Sequence, residues 1–217
     1  MKAKAFLALS LLTSQMAHAV DTTLILSGQI MPVACTIAIA NGGIFDLGDI
    51  IATNLNATTP TDLPRITEAV NISCDNPTQV AVNSMDNRAG TVGGALGGTG
   101  ANGVAAGWLF GLGTDTAGNN IGNYAMQYTT PEISGVAGTF LISLNAGATW
   151  TARQAEYFSN SAAGLVSLGT AGASSPTPIV NASFNLGLVS AIAPKITLDV
   201  TQLTTLDGST TFTLFYL

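Results

Sequence analysis

The sequence predicts an all-β protein, a sandwich of short strands. Three observations carry that expectation. Apolar residues make up 47% of the 217 positions and charged residues only 8%, against about 25% charged in an ordinary domain. That balance excludes a disordered acidic chain and a long charged coiled coil. Apolar and polar residues then alternate with period two in short runs, and no stretch carries convincing amphipathic helical spacing. Finally, Gly, Asn, Asp and Thr punctuate the runs as turn signals, with 24 glycines in all.

The first element is expected to be removed. Lys2 and Lys4 precede the apolar run Ala5–Leu12, and Ala17-His18-Ala19 has the small-x-small form of a signal-peptidase site. Residues 1–19 are therefore expected to be a secretory signal, too short in its apolar core to span a bilayer. No other segment is apolar enough for a membrane helix. The mature chain from residue 20 keeps four cations against twelve acids, hence a net charge of −8. With a pI near 4.3, a basic nucleic-acid face is excluded. The only histidine, His18, leaves with the signal, and with it the usual general base and metal ligand. Cys35 and Cys74 are an even pair in an exported chain, which predicts a disulfide and leaves no thiol nucleophile.

Strands follow in order. Thr23–Ile30 alternates until Pro32 breaks the run. Cys35–Ala40 is a second run, closed by Asn41-Gly42-Gly43. Ile44–Ile51 (IFDLGDII) is expected to be a strand with an internal glycine, and 53–62, with Pro60, a loop. Arg65–Cys74 (RITEAVNISC) puts Ile66, Ala69 or Val70, Ile72 and Cys74 toward a core. Asp75-Asn76-Pro77 is a turn signal, with Gln79–Ser84 expected to pair back as a hairpin arm. Residues 86–107 form a Gly-rich insertion without the Gly-Lys-Ser/Thr or GxGxxG context of a phosphate loop. Trp108–Leu112, Tyr124–Tyr128 and Ser134–Asn145 are expected strands, and 149–158 a strand or a single helical turn. Residues 159–178, rich in Ser, Ala, Gly and Pro, are expected to be a surface loop. Ile179–Leu188 and Val189–Val200 are two further candidates. The turn Asp207-Gly208 leads into a last strand, Thr210–Leu217.

The segments SGQIMPVACTI, IFDLGDI, VNISCDNPTQVAV and TTFTLFYL, in that order, resemble the pilins of the chaperone–usher pathway. Within that group the chain is most similar to a fimbrial-like family of uncharacterised bacterial exported proteins, through MDNRAGT (85–91), FGLGTDTAGNNIGNY (110–124) and LDGSTTFTLFYL. The resemblance implies one domain over 20–217. Its fold would be an immunoglobulin-like, pilin-type sandwich that lacks its final strand, with Cys35 and Cys74 bridging two early strands. A periplasmic chaperone, then a neighbouring pilin subunit, would fill the vacated groove by β-augmentation. By the same resemblance, Phe212, Leu214 and Tyr216 share the face of the terminal strand that is presented to the partner. Two features depart from the pattern. Position 204 is Thr where pilins often carry Gly, and only fifteen residues, Val20–Ala34, precede the first cysteine.

The implied function is a structural or minor fimbrial-like subunit that contributes to surface adhesion, in the periplasm or on the cell surface, with no cofactor. The competing reading is a self-complete, monomeric exported binding module, with Trp108, Trp150, Tyr124, Tyr128 and Tyr157 available to stack on sugar. An enzyme is not expected, since no carboxylate pair forms a recognisable acid–base motif. Asp115, Asn119 and Asn120 offer oxygen ligands without a calcium-loop pattern and are expected to be turn residues.

Overall fold

In the computed structural model, residues 22–29, 34–93 and 104–217 are described. The expected signal segment 1–19 and residues 94–103 of the Gly-rich insertion lie outside them. The chain divides into two compact units, Met1–Pro32 and Val33–Leu217. In the first, residues 22–29 form no strand, and Leu24, Ile25 and Leu26 are 86%, 83% and 87% exposed. This corrects the strand expected at Thr23–Ile30. Alternation supplies an apolar face, but a strand also needs a neighbour to bond to.

The second unit is built from strands and short 3-10 turns, with no α-helix among the described residues. One sheet contains β1 (Cys35–Ile39), β3 (Ile66–Thr78), β11 (Ile179–Ile192) and β6 (Gly122–Ile133), in that order. Three short strands flank it: β2 (Thr61–Asp62) pairs with β11, and β5 (Phe110–Gly111) and β9 (Glu156–Tyr157) pair with β6. The other sheet runs β7 (Val136–Ser143), β10 (Leu165–Thr170), β4 (Val80–Asp86), β12 (Thr210–Tyr216), with β8 (Thr151–Arg153) on β7. All these ladders are antiparallel. The β6–β7 hairpin joins the sheets through Glu132↔Ala137 and Ile133↔Val136. The expected all-β architecture is thus present.

One core lies between the sheets, and period-two patterning explains it. Val70, Ile72 and Cys74 of β3, Phe184, Leu186 and Leu188 of β11, and Tyr124, Met126 and Tyr128 of β6 face it from one side. Phe140 and Ile142 of β7, Val166 and Leu168 of β10, and Val80 and Val82 of β4 face it from the other. Tyr128 stands 4.4 Å from Phe140 and 4.9 Å from Phe158 between ring centroids, within the range of favourable tilted and edge-on packing. Cys35 and Cys74 are disulfide-bonded and directly opposite in the β1–β3 register. β1 ends where Asn41 and Gly42 turn left-handed, at φ 54° and 65°.

Four expectations are corrected. Residues 165–170, inside the expected loop, form β10, buried between β7 and β4; neighbouring strands on both sides specify it where composition does not. The expected pair 179–188 and 189–200 is one strand, β11, because no turn residue separates Leu188 from Val189; it stops just before Pro194. The Asp75-Asn76-Pro77 signal makes no hairpin: β3 runs through it to Thr78, and β4 pairs with β10 and β12 in the other sheet. Ile44–Ile51 forms no strand.

Candidate functional site: a groove beside the last strand

β12 is paired with β4 along its whole length, from Thr210↔Asp86 to Tyr216↔Val80. Among the described residues no strand pairs with its other edge. Across the gap, Ile44–Ile51 offers no strand either. Gly48 sits at φ +65°, a conformation that glycine adopts without penalty, and its N–H donates to Asp46 Oδ1 at 2.8 Å. That Asx-type turn folds the middle of the segment back on itself. Two lengths of chain therefore face each other without a shared ladder.

Between them lies a groove of about 1120 Å³. Leu112, Ile121, Tyr124, Met126, Leu188 and Ile192 contribute apolar surface from the first sheet and its preceding loop. Ile39, Phe45, Leu47 and Ile50 line it from the β1 side, Phe212 from β12, and Leu198 and Leu206 from the segment before β12. Four aspartates, Asp46, Asp49, Asp115 and Asp199, also line it, and no lysine or arginine among the described residues does.

The three residues predicted on one face of the terminal strand behave differently from one another. Phe212 and Leu214 point into the core but are only half-buried. Val80 and Val82, on the adjacent β4, are each 2% exposed. Phe212 lines the groove, where among the described residues no further strand covers it. Phe212 reaches Phe158 at 5.2 Å, edge-on. Tyr216 is 54% exposed, and its hydroxyl accepts a hydrogen bond from the Cys35 backbone N–H at 2.9 Å.

The segment 198–208 is a strap along the groove, pinned at both ends. At one end the Asp199 N–H donates to Asp115 Oδ2 at 2.6 Å. Asp115 is buried, which raises its pKa. That effect is outweighed by hydrogen bonds from the Asp199 N–H, the Asn119 side-chain amide and the Asn119 and Ala117 N–H groups, so the carboxyl falls from 3.8 to about 2. Asp115 and Asn119 are therefore turn residues, as expected, and Asn120 donates its side-chain amide to the Val92 carbonyl. At the other end the Asp207 N–H donates to the Leu112 carbonyl at 2.9 Å, and the Asp207 carboxylate pairs with Arg88 at 2.6 Å. Gly208 then passes so close to Tyr124 that a Cβ there would lie 2.9 Å from the ring. The Tyr124 hydroxyl sits 2.6 Å from Thr210 Oγ1, tying the start of β12 to the first sheet. Burial pushes the Tyr124 hydroxyl up to about 12.

The strap is not among the elements expected from the sequence. Its signals were Asp199-x-Thr201, which forms a local side-chain turn here, and the pair of aspartates at 199 and 207 around a Thr-rich, strand-poor stretch. Of the aromatic residues weighed for sugar stacking, Tyr124 and Tyr128 are core residues at 3% and 0% exposure. Trp108, Trp150 and Tyr157 are half-buried. Among the described residues no group of three or more His, Cys, Asp or Glu is placed to hold a metal ion. No helix among them is long and apolar enough to cross a membrane.

Two similarities to known proteins accompany this geometry. A family model described as "Protein of unknown function (DUF1120)" matches residues 24–125, just under half of the chain, including β1, β3, β4 and part of the groove wall. Protein GltF of Escherichia coli (strain K12) is 40% identical over 76 residues, which cover 33% of this chain and 30% of that protein. The matched stretch thus spans less than a third of the relative's length, and it makes this chain similar to that family and that protein over those residues.

Proposed function

We propose that the protein is an exported fimbrial-like subunit whose groove receives an extended strand from another polypeptide. A periplasmic chaperone supplies that strand first, and a neighbouring subunit later, as the resemblance to chaperone–usher pilins implies. The assembled subunit contributes to surface adhesion and uses no cofactor. One observation carries this reading: an edge of β12 that has no partner strand among the described residues flanks an apolar groove between the two sheets. Such an edge is a template for β-augmentation, in which main-chain hydrogen bonds supply affinity and alternate side chains supply specificity.

A second reading, a self-complete exported binding module, is favoured by the strap 198–208. It already places Leu198 and Leu206 along the groove.

Periplasmic expression with and without a fimbrial chaperone separates the two. The subunit reading expects aggregation alone and recovery as a one-to-one complex, lost on deletion of 210–217. A chain that is soluble, monomeric and cooperatively melting by itself sinks that reading and leaves the binding module.

A further inference from the structure

Resting on the reading of the groove as a strand acceptor, we infer that the incoming strand is basic: aliphatic residues in alternation, flanked by lysine or arginine. The groove couples an apolar interior to an entirely acidic set of charged lining residues, among those described. Asp115 is already compensated by its own ring of N–H donors. Asp46 and Asp49 are exposed on one wall and Asp199 lies on the other. No cation in the described lining offsets them. A low-dielectric cleft rimmed by one sign of charge concentrates the opposite charge and raises the encounter rate. It also disfavours an acidic strand by like-charge repulsion.

The same logic argues against this chain's own N-terminal segment as the preferred occupant. Residues 22–29 (TTLILSGQ) alternate suitably but carry no cation. The occupant is therefore a strand of a different, basic protein.

The test uses the oxidised mature chain, diluted from denaturant so that it folds in the presence of one of three synthetic strands: one aliphatic alternation flanked by lysines, the same alternation flanked by glutamates, and the 22–29 sequence itself. Association rates are followed by stopped flow at about 0.01 M and about 1 M salt, which shortens the Debye length from about 30 Å to about 3 Å. The expected result is that the lysine strand associates about tenfold or more faster than either competitor at low salt. That advantage collapses at high salt and in the Asp46→Asn/Asp49→Asn variant, where the amide oxygen introduced at position 46 still accepts the Gly48 N–H. A melting curve for the variant shows that its fold is kept. Equal rates for the lysine and glutamate strands, or faster binding of 22–29, overturn the inference while leaving the acceptor groove intact. Binding of none of the three overturns both.

Discussion

The Tyr216 hydroxyl accepts the Cys35 N–H at 2.9 Å, joining residues 181 positions apart. Cys35 opens β1 and Tyr216 closes β12, so this bond ties together the outer strands of the two sheets. The Cys35–Cys74 bridge anchors the same residue to β3. The gap between the sheets is thus clasped at this end, while among the described residues no strand pairs with the rest of the β12 edge.

Replacing Tyr216 by Phe keeps the ring and removes the acceptor. The expected cost is modest, about 0.5–1.5 kcal/mol, because the site is wet. The sharper readout is amide exchange at Cys35, which should accelerate while amides in β11 do not. Unchanged exchange would mean that the clasp is not formed in solution.

The disulfide closes a sequence separation of 39 residues. Removing it with paired Cys35→Ser and Cys74→Ser substitutions should cost about 4 kcal/mol in the chain-entropy picture. Denaturant melts of the oxidised chain and the double variant measure this. A difference under about 1 kcal/mol would show that the unfolded chain is already constrained in this region.

Phe212 and Thr213 are neighbours with opposite fates: one contacts Phe158, the other is exposed. Phe212→Ala should destabilise by about 2–4 kcal/mol, below or near the low end for a fully buried ring because the site is half-open. Thr213→Ala should stay within about 0.5 kcal/mol. Comparable losses at both positions would contradict the observed facing of β12.

Asp115 makes an acid-sensitive pin. Its folded pKa, about 2, lies below the ordinary 3.8. As pH falls, the unfolded chain takes up the proton first, so the contribution is fully present above about pH 4 and is lost as pH falls toward about 2. Asp115→Asn should flatten that part of the stability–pH curve and lower the melting temperature at neutral pH, since a neutral amide accepts from the surrounding N–H groups less well than a carboxylate. An acid limb unchanged in the variant would assign the sensitivity to other carboxylates.

Legibility followed how local the determinant was. β1, β7 and β12 were readable because their alternation and their bounding turns sit in adjacent residues, as in Cys35–Ile39 before Asn41-Gly42; β3 and β6 were readable by alternation, but not where they end. β10 was not, because Leu165–Thr170 owes its strand conformation to β7 and β4 on either side. Ile44–Ile51 was misread for the converse reason. IFDLGDII has strand composition, but the left-handed Gly48 and the absence of a bonded neighbour leave it as a groove wall.

The sequence by itself determined the all-β class, the inward faces of the main strands and the cysteine pairing. Each follows from period-two patterning or from an even pair of cysteines behind an expected export signal. Only the tertiary structure decided that β4 leaves β3 for the second sheet, that one edge of β12 has no partner strand among the described residues, and that the strap pinned by Asp115 and Arg88 runs beside it. Those features depend on which strands find neighbours across long sequence separations, and that is settled by the joint burial of one core between two sheets.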